Sequence, residues 1–214
     1  MSRPSRLPRR LLQLYAGLIL YGTSMALLVR STLGVTPWDV LHQGLSRQVG
    51  WSMGTSAIVV GAVVLLGWIP LRQWPGVGTV SNVVVIGLAL DGALALLPAP
   101  SSLVVRAGLV VAGVLLNAVA TAAYIGVHLG PGPRDGLMTG LVRRTGGSVR
   151  LVRTSIEVTV VAVGWLLGGT LGIGTVLYAL TIGPLVHLLL PRLSLALPAR
   201  TAQPAGQPTT PAAR

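Results

Sequence analysis

The stretch LGVTPWDVLHQGLSR that begins at Leu33 returns as LGPGPRDGLMTGLVR at Leu129, an offset of 96 residues. Both copies read L-G-x-x-P-x-D-x-L-x-x-G-L-x-R, and they hold two of the chain's four acidic residues, Asp39 and Asp135. The offset extends well beyond this segment. Ala16-Gly17 matches Ala112-Gly113, Leu20 matches Leu116, Ala26 matches Ala122, GVGTV at 76–80 matches GIGTV at 172–176, and Ile86-Gly87 matches Ile182-Gly183. A period of this kind settles the choice of architecture before any single element does. The chain reads as a tandem duplication, with units at about 11–91 and 107–187.

What each unit is made of follows from its apolar runs, at about 11–29, 54–71, 77–97, 103–127, 151–170 and 173–190. Each approaches the roughly 20 residues that an α-helix needs to cross a bilayer. Only 9% of residues are charged and mean hydropathy is +0.76, whereas soluble chains carry about 25% charged residues. The expected class is all-α: a polytopic transmembrane bundle of two repeats, each of three transmembrane helices plus one short helix. The expected organisation is a basic cytoplasmic N-terminus at 1–10, a first repeat at 11–97, a second at 103–190, and a disordered cytoplasmic tail at 191–214, rich in Pro, Ala and Thr. The positive flank of the first run resembles that of a signal peptide. Its match to the fourth run, deep within the chain, predicts a retained helix instead.

The short helix comes from the repeated segment. Pro37 to Arg47 is eleven residues, roughly 16 Å as helix against a hydrocarbon core of about 30 Å. Its Asp, His, Gln and Arg are costly in lipid, about 2.5–3.5 kcal/mol for a mid-membrane Asp or Arg. Such a segment is re-entrant or interfacial. Three crossings per unit would invert the second unit relative to the first, as in many transporters. With both termini inside, thirteen of the sixteen Arg fall on the cytoplasmic side and three, Arg30, Arg47 and Arg106, outside, which fits the positive-inside rule. Eight crossings with parallel units give the same count, so charge orients the termini and only segment length favours inversion.

The repeated positions carry the candidate chemistry. Thr36, Pro37 and Asp39 have the spacing of an N-cap, first and third helical residue; Gly132, Pro133 and Asp135 stand at the matching places. The carboxylates can serve as helix caps, or as two symmetry-related ligands for a cation, proton or polar solute. Arg134 has no charged counterpart, since Trp38 stands opposite. Gly76, Gly78 and Thr79, with Gly172, Gly174 and Thr175, open the third run of each unit. They permit close backbone approach and capping, or an unwound stretch that lines a solute path. Arg153 and Glu157, four apart, form an intramembrane charge pair facing protein. Asn82 and Asn117 suit interhelical hydrogen bonds. Asp91, near a helix end, suits headgroups or water.

Several classes are excluded or disfavoured. The chain has no Cys, and its three His have no metal-ligand spacing. No nucleophile–base set, metal site or cofactor motif is found, so catalytic residues are none and an enzyme is not expected. The Arg residues flank apolar runs and no soluble basic domain is present, so nucleic acid is not an expected partner.

The segments LGVTPWDVL, GVGT, GPGPRDGLM and GIGT, together with the Arg153/Glu157 helix, resemble the YczE/YyaS/YitT group of bacterial integral membrane proteins. The resemblance covers nearly the whole chain except the tail. It implies a multi-pass protein of the bacterial plasma membrane and supplies no activity. The expected function is a small-solute or ion permease working through the Asp-bearing half-helices. The alternatives are a non-transporting assembly or regulatory partner, and the membrane-embedded substrate-binding subunit of a multi-component importer. Expected partners are the bilayer, a small solute or ion, and a second copy or another membrane protein.

Overall fold

The structure, a computed structural model, describes residues 7–195. Its elements among these residues are eight α-helices: α1 (Leu7–Ser31), α2 (Pro37–Val49), α3 (Met53–Trp68), α4 (Val77–Leu96), α5 (Leu103–Ile125), α6 (Pro133–Thr145), α7 (Val149–Leu166) and α8 (Ile173–Leu193). Helix α1 starts four residues ahead of the expected boundary at 11. Helix α8 runs on to Leu193, through Pro184 and Pro191, so the expected tail boundary at 191 falls inside a helix. The rest of that tail, from 196, and residues 1–6 lie outside the described residues.

Helices α1, α4, α5 and α8 are each long and apolar enough to cross a bilayer. Two of the six expected runs fall short of that standard. Helix α3 stops at Trp68 after 16 residues, and α7 carries Arg150, Arg153 and Glu157 within its 18. Helix α2 meets α3 at a bend of 113°, which Gly50 allows by adopting φ 78° beyond the end of α2.

Lipid offers no hydrophobic drive between helices, so close backbone packing and interhelical hydrogen bonds hold such a bundle together. Both operate on α1, the central helix. It packs along α5 and α4. A Cβ on Gly22 would lie 2.5 Å from the Ile86 carbonyl oxygen, which shows how near α4 comes. Against α5, the Asn117 amide donates to Ser24 Oγ at 2.8 Å and accepts from the Tyr178 hydroxyl of α8 at 2.8 Å. Asn117 is fully buried, and its hydrogen bonds are the interhelical kind expected.

The same contacts set helix directions. Gln13 bonds to the Ala123 carbonyl at 3.0 Å and Arg106 Nε to the Ser31 carbonyl at 2.7 Å, so α5 runs antiparallel to α1. Tyr15 meets Ser81 at 3.3 Å, and Arg30 donates to the Leu94 carbonyl, so α4 runs parallel to α1. Tyr178 beside Asn117 and the Leu195 N–H on the Gly126 carbonyl at 2.8 Å make α8 parallel to α5.

The offset of 96 recurs in the backbone. Every described residue with positive φ falls into such a pair: Thr32 and His128 (55° and 53°), Gly34 and Gly130 (129° and 131°), Gly50 and Gly146 (78° and 67°), Arg72 and Gly168 (52° and 94°). The contacts are reciprocal as well. The Gly174 N–H donates to the Leu33 carbonyl at 2.8 Å, and the Gly78 N–H to the Leu129 carbonyl at 2.9 Å. Arg10 closes the C-terminal end of α5 through the Val127 carbonyl, at 2.9 Å from Nε, while Arg106 closes that of α1. Orphan carbonyls at a helix C-terminus favour a cation there. Each loop that follows one of these long helices is thus held by the helix 96 residues away from its counterpart's holder.

Candidate functional site

Helix α2 begins as its sequence requires. Thr36 is extended at φ −63°, ψ 156°, its Oγ1 accepts the Asp39 N–H at 3.3 Å, and Pro37 occupies the first turn, where a missing N–H costs nothing. The Thr36 hydroxyl donates to Asp39 Oδ2 at 2.8 Å, and His42 Nδ1, one turn on, lies 3.0 Å from Asp39 Oδ1. Both carboxylate oxygens are thereby engaged, and Asp39 is fully buried.

Helix α6 starts differently. Its N-cap is Gly132, which has no side chain to offer. Asp135 takes its hydroxyl donor from another helix, the Tyr124 O–H of α5 at 3.4 Å. Arg134 Nε lies 4.0 Å from Asp135 Oδ1, and the two side chains stay 30% and 35% exposed. The matching first turns thus hold one sealed carboxylate and one open carboxylate beside a guanidinium.

The fold brings them together. Asp39, Asp135 and Arg134 line one cavity of about 100 Å³ between α1, α2, α3, α4, α5 and α6, with Tyr21, Trp38 and Asn82. Tyr21 and Tyr124 stack edge to face there, centroids 6.1 Å apart. Asn82, expected to bond a neighbouring helix, thus borders the cavity. A second cavity, of about 270 Å³, lies among α5, α6, α7 and α8. Arg134 and Asp135 line it too, and so do Arg153, Glu157 and His187. Arg153 Nε lies 3.4 Å from Glu157 Oε1, and both residues border this second cavity.

The glycine–threonine turns are placed elsewhere. Gly76, Gly78, Thr79, Gly172, Gly174 and Thr175 line neither cavity. They form the junctions at which the start of α4 receives the loop before α6 and the start of α8 receives the loop before α2. Thr79 Oγ1 donates to the Pro131 carbonyl at 2.7 Å and accepts the Gly76 N–H at 3.2 Å. Thr175 Oγ1 is buried with no partner among the described residues.

Two features escaped the sequence reading. Arg134 borders both cavities; its only signal in the sequence is a charged residue opposite Trp38. Asp91 was expected to reach headgroups or water. It instead accepts the Ser52 hydroxyl at 2.5 Å and the Gly54 N–H at 2.7 Å, and so holds the N-terminus of α3 against α4. An anion at a helix N-terminus meets both free N–H groups and the positive dipole end.

Comparison with known proteins bears on the family. Residues 8–191 match a family model described as a family of unknown function, DUF6198. A protein of Haemophilus influenzae described as an uncharacterized protein is 42% identical over 173 residues, covering 81% of this chain and 79% of the relative. The uncharacterized membrane protein YczE of Bacillus subtilis is 34% identical over 195 residues, covering 88% and 90%. YyaS of the same organism is 24% identical over 179 residues, covering 82% and 89%. No solved structure matches. With its apolar helices and this kinship, the chain is an integral membrane protein that belongs to the DUF6198 family.

Proposed function

We propose that this chain is a small-solute permease of the bacterial plasma membrane, with both termini cytoplasmic and two units of opposite orientation around a central site. The antiparallel α1 and α5, each parallel to the last helix of its own unit, support the inverted reading. On this reading α3 and α7, short or charged as they are, complete the third crossing of each unit, and α2 and α6 are half-helices whose first turns line the same cavity as Tyr21 and Tyr124.

The observation that carries the proposal is an unequal pair of seams around the shared charges. Helices α3 and α4 are packed together, whereas their counterparts α7 and α8 stand apart, and the second cavity fills that gap. Arg134 and Asp135 border both spaces. In two inverted units, closing one seam and opening the other would expose the same site to the opposite side of the membrane, which is alternating access.

The test is uptake into proteoliposomes by wild type, Arg134→Gln and Asp135→Asn. Flux in wild type, lost in variants that retain their fold, is the expected outcome. Absence of flux for every solute tried, with the protein co-purifying with a fixed partner, would replace this reading by the assembly or importer-subunit one. Single cysteines placed at Gly50 and Gly146 are expected to label from opposite faces of the membrane.

A further inference from the structure

Of the charged groups around the central cavity, only two remain open to a ligand. Asp39 is fully buried, with one oxygen on Thr36 and the other on His42. Arg134 and Asp135 are about one-third exposed, lie 4.0 Å apart, and face both cavities. The Arg134 guanidinium makes no hydrogen bond with any described residue, and its approach to Asp135 is too long to be one. The cavity therefore presents one incompletely used cation beside one incompletely used anion.

We infer that this pair receives a small zwitterion of amino-acid type, its carboxylate on Arg134 and its ammonium on Asp135. The inference rests on the site of the proposed permease and specifies its solute. A bare cation drawn to Asp135 would meet the guanidinium, and a bare anion drawn to Arg134 would meet the carboxylate. A molecule with both charges a few ångströms apart satisfies both at once, and no net charge enters the membrane interior. Arginine suits the carboxylate end because its planar fork matches two oxygens. Helix α6 adds to that end, since Gly132 gives its first turn no side-chain cap.

Size points to a short skeleton. The central cavity is about 100 Å³, below the roughly 150 Å³ of an engineered cavity that takes benzene. Met25, Val60, Val64 and Ile86 supply apolar wall, so on the central-cavity side the ligand has little room beyond its two charged groups.

Equilibrium dialysis of the full chain in detergent, with radiolabelled glycine and alanine, tests this. Saturable binding is expected. Acetate and methylammonium, the two halves of glycine, should each compete at least about tenfold more weakly. Arg134→Gln and Asp135→Asn should each weaken glycine binding by about tenfold or more, with Arg134→Lys weakening it less. Competition by either half as strong as by glycine, or no saturable binding of glycine or alanine to folded wild type, would overturn the inference. The competition arm needs no variant, so it decides even if Arg134→Gln misfolds. Binding without flux would keep this site and remove the permease; flux of another solute without glycine or alanine binding would do the reverse.

Discussion

The seam between α3 and α4 and the seam between α7 and α8 lie 96 residues apart in the sequence, yet one is shut and the other open. In the first, Gly54 and Gly61 let α3 approach α4, and a Cβ on Gly87 would lie 2.6 Å from the Gly54 carbonyl oxygen. Asp91 then fastens the start of α3 through Ser52 and Gly54. Ninety-six residues on, the matching positions are Arg150 for Gly54, Glu157 for Gly61 and His187 for Asp91. Long charged side chains replace hydrogen atoms, and no carboxylate remains to cap α7. Gly183, the counterpart of Gly87, has nothing within 4 Å of an added Cβ. The matching stretches thus keep the same helix order and turns, and the two seams differ where these three side chains differ.

A related exchange governs the half-helices. Trp68 of α3 is buried and fills the space over Gly136 of α6, donating its indole N–H to the Pro133 carbonyl at 3.0 Å. In the matching contact the sizes are reversed: Gly164 of α7 lies against the backbone at Val40 and Leu41 of α2. Large-on-small and small-on-large both pack, but the second lets α2 and α7 come closer together than α6 and α3.

The comparison is most directly broken at the paired glycines. Gly87→Leu should destabilise the protein by about 1–3 kcal/mol or more, because overpacking a tight contact forces backbone apart. Gly183→Leu should stay within about 0.5 kcal/mol, as a change in open space. Thermal melting of both in one detergent checks this, and equal losses would remove the claimed difference between the seams. A smaller effect is expected at the clamp. Asp91→Asn should cost about 1–2 kcal/mol by weakening a charge-assisted cap on α3, and should raise thiol labelling of a cysteine placed at Thr55. His187→Asn should do neither to α7. The smallest effect belongs to the open seam's own ion pair. Glu157→Gln should change stability by no more than about 0.5 kcal/mol, since Arg153 is about half exposed. A larger melting shift would mean that the pair holds α7 in place.

Much of this architecture was legible in one dimension. The offset of 96 recurs among the described residues with positive φ, and Thr-Pro-x-Asp announces the start of α2 because N-caps act over three residues. Local rules of that kind also placed the Arg153–Glu157 pair. What escaped was set across the fold. Asp91 finds its partners 37 and 39 residues away, and nothing in its own neighbourhood tells a cap from a headgroup contact. Arg134 resembles a topology-setting Arg until α6 is seen to begin inside the bundle. The brevity of α3 was hidden as well, since Ile69 and Pro70 prolong the apolar run without prolonging the helix.

The exchanged turns have a consequence for biogenesis. The Leu33 carbonyl waits for the N–H of Gly174, and the end of α1 waits for Arg106. A ribosome that has released only the first unit has therefore inserted helices whose turns still lack their mates. Severing the chain in the linker between α4 and α5 should leave either fragment unstable alone, and co-expression of the two should recover the protein.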